Sequence, residues 1–261
     1  MRFHLSHRGL QTARSISVRV VLLLVVPLSA YTADFCSKND VQGAYGFQLA
    51  GVNTISGFAK ASATIGRIAF QSDGTLSGYS SVNFNGLFLG NPVTGTWDVK
   101  PDCAITWNLQ DDSGGYQHFA GKTVPGGSRV EFRQSDPGAD GAGIMKKTPE
   151  TCGVAAFQGQ YGLTMAGIST PFAGGAPKQL SAVAVADADG AGALTLLYPS
   201  DKSTGSYDVD SDCFMEIRFT LPSGGAAAGA VKLRGILVDD GREALAVQSD
   251  PKDVSAARFR K

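Results

Sequence analysis

Few residues in this chain are suited to acid–base chemistry. His118 is the one histidine beyond residue 33, and histidine is the most common general base near neutral pH. It alternates with Gln117 and Phe119, so the sequence leaves open whether its ring faces the inside or the outside of a sheet. Two glutamates in similar alternating segments, Glu131 and Glu216, are the other candidates for proton transfer. No G-x-S-x-G motif accompanies them, so a serine triad is not indicated.

A group of aspartates could supply the hard oxygen ligands that calcium prefers. Its members are Asp187, Asp189, Asp208, Asp210 and Asp212. Their spacing does not match an EF-hand loop, and turn capping explains them more simply. We therefore expect no metal site and no cofactor.

The chain contains an internal repeat. Residues 43–47 (GAYGF) recur as 159–163 (GQYGL), 94–99 (TGTWDV) as 204–209 (TGSYDV), and 134–137 (QSDP) as 248–251. The offsets of 116, 110 and 114 residues differ only by small loop insertions. The repeat predicts two homologous domains, which we place at residues 34–147 and 148–261.

Hydrophobicity within each repeat has a period of two residues. Residues 129–133 (RVEFR) and 214–221 (FMEIRFTL) alternate between apolar and polar side chains, which is typical of antiparallel strands with one buried face. Asp-Gly and Asn-Gly pairs between such runs indicate hairpin turns. Seven or eight short strands per repeat favour two up-and-down β-barrels. Two β-sandwiches, or one larger barrel built from both repeats, are the alternatives.

Four cysteines occupy matching positions in the two repeats. They favour the pairs Cys36–Cys103 and Cys152–Cys213, each closing its own repeat. The swapped pairing of Cys36 with Cys213 and of Cys103 with Cys152 also respects the internal symmetry and stays open. Loop closure over such distances stabilises a domain by about 4 kcal/mol per bridge. A zinc site is disfavoured because no C-x-x-C spacing is present.

The first 33 residues have the pattern of a secretory signal peptide. A basic segment without acidic residues is followed by an apolar run of about ten residues, too short for a membrane span. Four arginines belong to this leader, so the remaining chain has 19 basic and 23 acidic residues, a net charge of −4. Such a chain is a poor candidate for nucleic-acid binding. We expect a secreted or periplasmic protein that is a monomer and does not contact the membrane after signal removal.

The repeated elements G-x-Y-G-F, T-G-T-W-x-V-x-x-D-C and Q-S-D-P-G resemble those of a broad group of exported bacterial proteins with one or two small β-barrel repeats. Such barrels are similar in architecture to the calycin and allene-oxide-cyclase types. The resemblance implies ligand binding, or cofactor-free chemistry, inside a barrel. No catalytic residue of either type matches a position in this chain, so none is transferred.

An aromatic asymmetry between the repeats indicates where a ligand could bind. Both tryptophans of the chain lie in the first repeat, and an eight-stranded barrel can hold one small ligand. We therefore predict a binding module for a small apolar or aromatic ligand, with Tyr45, Trp97, Trp107 and His118 as candidate binding residues. The alternatives are a cofactor-free isomerase or cyclase that uses His118, and a structural protein of the envelope or matrix.

Overall fold

The computed structural model describes residues 35–55, 58–169, 178–222, 229–251 and 253–261. The predicted signal peptide lies outside the described residues. Residues 34–261 form one compact unit. Within the described part of this unit, two closed antiparallel barrels of eight strands follow one another along the chain.

The first barrel begins after one turn of helix, α1 (Lys38–Val41). Its strands are β1 (Gly43–Ile55), β2 (Phe58–Phe70), β3 (Thr75–Phe84), β4 (Leu87–Val99), β5 (Ala104–Asp111), β6 (Tyr116–Thr123), β7 (Arg129–Gln134) and β8 (Ala139–Lys147). Each strand pairs with the next in sequence, and β1 also pairs with β8, which closes the ring.

The second barrel repeats this order after a short 3₁₀ helix, Val154–Ala156. Its strands are β9 (Gln158–Ser169), β10 (Lys178–Asp189), β11 (Ala193–Leu197), β12 (Lys202–Val209), β13 (Phe214–Leu221), β14 (Gly229–Val238), β15 (Glu243–Gln248) and β16 (Asp253–Arg260). A second 3₁₀ helix, Asp239–Gly241, joins β14 to β15, and β16 pairs with β9 to close the ring. The prediction of two up-and-down barrels is therefore confirmed.

Each barrel has one end filled by its N-terminal segment. In the first barrel, Val41 of α1 is fully buried, and the hydroxyl of Tyr45 donates to the carbonyl of Gly127 at 2.6 Å. In the second, Phe157 is fully buried and the hydroxyl of Tyr161 donates to the carbonyl of Gly241 at 2.7 Å. The recurring tyrosines are therefore structural, since both copies anchor a loop across the closed end.

Two disulfides fix these N-terminal segments to the barrels. Cys36 bonds to Cys103, and Cys152 bonds to Cys213, so each repeat closes its own bridge. Cys103 and Cys213 lie in the turns before β5 and β13, with φ values of 66° and 69°. The predicted pairing within each repeat is confirmed, and the swapped alternative does not occur.

The barrels pack through non-equivalent faces. The outer faces of β1 and β2 contact β14, β15 and β16 of the second barrel, and all six residues of β15 are buried. A Cβ atom added to Gly46 would lie 2.6 Å from a methyl carbon of Val238, so the two sheets approach too closely there for any other residue. Ile65, on the outer face of β2, has no exposed surface.

Two buried amides join the barrels across this interface. Nε2 of Gln48 donates to the carbonyls of Ala246 and Ala257, at 2.6 and 2.9 Å. Nδ2 of Asn83 donates to the carbonyls of Gln248 and Asp253, at 2.7 and 2.8 Å. The amides satisfy backbone groups that would otherwise be buried without partners, so the interface has a fixed register.

We expect the substitution Gln48→Leu to lower the free energy of unfolding by about 1–3 kcal/mol, because two buried carbonyls lose their donor. The matched control is Thr164→Ala, which changes the equivalent residue on the exposed outer face of β9 and should alter stability by less than about 0.5 kcal/mol. Urea unfolding of the two variants and the parent checks both values. Equal effects of the two substitutions would contradict the proposed role of Gln48.

Candidate functional site

The closed end of the first barrel is filled by aromatic rings. The ring of Phe70 lies 5.4 Å from that of Tyr45, 5.1 Å from that of Trp97 and 6.3 Å from that of Trp107. Trp107 also stacks on Phe119 at 5.2 Å. The indole N–H of Trp97 donates to the carbonyls of β3 and its preceding turn at 3.0 and 3.1 Å. Three of the four predicted binding residues thus lie together, packed against one another.

Burial raises the pKa of the Tyr45 phenol, with a smaller contribution from the negative charge of Asp40. The hydroxyl therefore stays protonated and remains a hydrogen-bond donor to Gly127. This part of the interior is a packed hydrophobic core.

His118 lies on the opposite side of the sheet from these rings. Its side chain is 57% exposed, and Nδ1 lies 2.7 Å from a carboxylate oxygen of Asp136. Its neighbours Gln117 and Phe119 face the interior, because their partners on β5 are the inward residues Leu109 and Trp107. The structure therefore does not bring His118 together with Tyr45, Trp97 and Trp107.

The other candidates for proton transfer also lie on outer faces. Glu131 pairs with Arg129, and its side chain is 69% exposed. Glu216 pairs with Arg218, and its side chain is 38% exposed. Neither carboxylate faces a barrel interior, and each lies within reach of a cation on its own strand.

Two of the five aspartates considered for calcium, Asp189 and Asp210, stabilise turns, and Asp187 and Asp208 lie within strands. One carboxylate oxygen of Asp210 accepts from the backbone N–H groups of Asp212 and Phe214. One of Asp189 accepts from those of Ala191 and Ala193. Among the described residues, no group of three or more histidine, cysteine, aspartate or glutamate side chains could hold a metal ion.

The open end of the first barrel contains a small cavity of about 50 Å³. Its floor is formed by the buried residues Val93 and Leu109, and Leu109 lies one inward position above Trp107 on β5. Its upper wall combines hydroxyl, amide and carboxylate side chains with two apolar ones. These residues are Thr64, Ser80, Val82, Leu89, Asn91, Asp111 and Gln117. All of them lie on inward positions of their strands.

At three of the matching inward positions the second barrel has apolar residues, whereas Ser203 takes the place of Val93. Thr64 pairs with Leu49 in the first barrel. Met165 is the equivalent of Leu49 and pairs with Ala182, so Ala182 takes the place of Thr64 in the second barrel. By the same comparison of strand registers, Leu221 replaces Asp111 and Val231 replaces Gln117, and both replacements are 5% exposed. The two barrels therefore share the tyrosine anchor of their closed ends and differ in polarity at these three positions of their open ends. Where two copies of one fold have different residues at the same position, folding does not require either residue there.

Asp111 is held in place by its own turn. Its Oδ1 accepts from the hydroxyl of Ser113 at 2.6 Å, from the N–H of Ser113 at 2.9 Å and from the N–H of Gly115 at 3.1 Å. These bonds, with the Ser113 hydroxyl foremost, lower the pKa of Asp111 below its ordinary value. The rim of the cavity therefore carries a fixed negative charge at neutral pH, and the second carboxylate oxygen remains available as an acceptor.

The residues that form the cavity wall, the mouth residues, were not predicted from the sequence. They belong to no repeated motif, and single threonines, serines and glutamines are common on exposed strand faces. Their signal lies in aligning the inward positions of the two repeats, which requires the strand registers.

No known family model matches the chain, and no curated protein is significantly similar to it. No described helix is long and apolar enough to cross a membrane. The two disulfides indicate an oxidising environment, either extracellular or periplasmic.

The aspartate of the repeated Q-S-D-P element accepts a hydrogen bond from a backbone N–H of the neighbouring strand. Asp136 accepts from the N–H of His118 at 2.8 Å and from the amide of Gln134 at 3.0 Å. Asp250 accepts from the N–H of Lys232 at 2.8 Å in the second barrel. Partial burial acts to raise the pKa of Asp136, but the bonds from His118 and Gln134 outweigh it and the pKa lies below its ordinary value.

We expect Asp136→Asn to lower the free energy of unfolding at pH 7 by about 1–2 kcal/mol, because charge-assisted bonds are replaced by neutral ones. A lowered folded-state pKa stabilises the fold above the ordinary carboxyl value, and this stabilisation is lost as the pH falls through the folded value. The difference between variant and parent should therefore shrink as the pH falls below about 4. Urea titrations at several pH values test this, and a difference independent of pH would contradict it.

Proposed function

We propose that this protein is an exported binding module that takes a small amphipathic ligand at the open end of its first barrel. The observation that carries the proposal is a difference between the two open ends: Thr64, Asp111 and Gln117 of the first barrel correspond to Ala182, Leu221 and Val231 of the second. Binding sites of this kind combine apolar walls with a few placed polar groups.

The proposal refines the apolar or aromatic ligand expected from the sequence. The rings of Trp97 and Trp107 occupy the lower interior themselves, so a ligand would rest above them, on Val93 and Leu109. Its apolar part would contact these two residues and Val82. A hydroxyl, amine or amide group on the ligand would reach Asp111 or Gln117 at the rim.

The size of the cavity limits how much of the ligand is enclosed. A volume of about 50 Å³ holds a few atoms, so most of a ligand would lie in the mouth, between the partly exposed Ser80 and Asn91 and the exposed Gln117. Leu87 and Leu89 are 59% and 47% exposed at this end, which supplies apolar surface for a ligand that extends outwards.

Native mass spectrometry of the protein purified from its own compartment tests this proposal. We expect a mass excess that disappears on denaturation. The double variant Thr64→Ala with Gln117→Val, which introduces the second barrel's residues, should lose that excess because the mouth loses two of its polar groups. The control His118→Ala removes the adjacent side chain on the outer face and should retain it.

Two results would contradict the proposal. One is a bare mass for the parent protein under conditions that preserve noncovalent complexes. The other is an excess that the double variant retains, since the ligand would then bind elsewhere. Fluorescence offers a parallel signal, because Trp97 and Trp107 both lie beneath the proposed site.

A further inference from the structure

A second concave surface lies outside the barrels, where the first barrel meets the second. This trough has a volume of about 650 Å³ and follows the outer faces of β6, β7, β8 and β1. Small side chains form its floor, notably Ala50, Ala120 and Ala142, with Ile144 beside them. Arg258 of β16 contributes from the second barrel. The trough is more than ten times as large as the cavity in the barrel mouth and is independent of it.

Cations outnumber carboxylates along the trough, although residues 34–261 have a net charge of −4. Lys122, Arg129, Arg133 and Arg258 line it, with Glu131 as the one carboxylate among the residues that form it. Arg129 pairs with Glu131, and Arg133 lies 3.5 Å from Asp140. Both pairs are well exposed, and exposed pairs contribute little to stability. Their arginines can therefore exchange these partners for an anionic ligand.

The residues of this surface differ from those at the equivalent positions of the second barrel. The equivalents of Lys122, Glu131 and Arg133, in the strand registers, are Ile236, Leu245 and Val247. These three are fully buried in the second barrel, where the same face packs on the first barrel. The first barrel therefore has charged residues at positions where the second barrel has buried interface residues. This face of the first barrel is not covered by the second barrel.

Arg258 is held towards the trough by a buried carboxylate. Its Nη2 and Nε donate to Oε1 of Glu243 at 2.7 and 3.1 Å. Lys146 donates to the other oxygen of the same carboxylate at 2.6 Å. Glu243 is 1% exposed, and Lys146 also donates to Asp239 at 3.2 Å, so the buried carboxylate is fully paired and fixes the position of the Arg258 guanidinium beside the trough.

We propose that the trough binds an anionic polysaccharide, recognised through its carboxylate or sulfate groups. An open trough suits an extended chain, and its small floor residues allow the chain to approach the sheet closely. Arginine forks match the geometry of these anions. A closed barrel offers no free strand edge for peptide backbone, and a concave surface does not fit a flat bilayer. These features favour a glycan over an acidic peptide or a membrane.

Calorimetry with the chain from residue 34 onwards, which forms one compact unit, tests the proposal. The probes are oligogalacturonate and dextran sulfate, with neutral dextran as the uncharged control. We expect binding to at least one of the two anionic polymers, no binding to neutral dextran, and a loss of affinity as salt rises from about 0.05 to 0.5 M.

The double variant Lys122→Gln with Arg133→Gln should weaken this binding about tenfold or more, because two of the four cations are removed. The matched control is Arg218→Gln, which breaks the exposed Arg218–Glu216 pair on the second barrel and should change affinity less than about twofold. Circular dichroism of each variant verifies folding. Should the double variant be unfolded, Arg129→Gln replaces it with the same expectation.

Several results would overturn the proposal. The first is no binding to either anionic polymer at low salt, and the second is equal weakening by the trough variant and the control. A third is affinity for polyglutamate, single-stranded DNA or anionic vesicles that equals the affinity for the polysaccharides at matched charge. The mass-spectrometric test of the barrel mouth uses different residues, so either proposal can fail without the other.

Discussion

Closure of each sheet is the constraint on which the rest of this structure depends. A ring of eight antiparallel strands has no free edge, so its backbone hydrogen bonds are satisfied within the ring. It also encloses a nearly fixed interior, just wide enough for side chains or one small ligand. Both copies use the lower half of this interior for rings such as those of Tyr45 and Tyr161. The residues that fill this interior differ between the copies, with Trp107 of the first barrel in the place of Ile217 of the second.

The tandem arrangement separates the requirements of folding from the features that differ between the copies. The second barrel covers β1 and β2 of the first with an apolar outer face, in which Leu245 and Val247 are fully buried. The equivalent face of the first barrel carries Glu131 and Arg133. The same charges, arranged around a concave floor, produce the cationic trough.

Much of the fold could be predicted from the sequence. The period of two residues, the Gly-containing turns and the repeat motifs predicted two up-and-down barrels, and the matching cysteine positions predicted both bridges. The motifs were informative because they perform local tasks that both copies need. Tyr45 and Tyr161 anchor loops, and Asp136 and Asp250 accept from neighbouring backbone N–H groups.

The candidate site was much harder to predict from the sequence. His118 faces outwards because its strand register with β5 turns Gln117 and Phe119 inwards, and register is set by long-range pairing that alternation alone does not specify. The mouth residues could not be predicted for the same reason. They come together only through long-range strand pairing, and Thr64 and Gln117 are 53 residues apart in the sequence. The interface amides of Gln48 and Asn83 depend on the docking of one barrel on the other, which leaves no periodic pattern.

We propose that the two open ends have diverged and that the first one binds a ligand. The most direct measurement is a pair of amide NMR spectra of the isotope-labelled protein, with and without the small-molecule extract of its own compartment. We expect shifts concentrated at Thr64, Ser80, Asn91, Asp111 and Gln117, with the indole signal of Trp107 also responding. Shifts at Ala182, Leu221 and Val231 instead, or unchanged spectra at saturating extract, would contradict it.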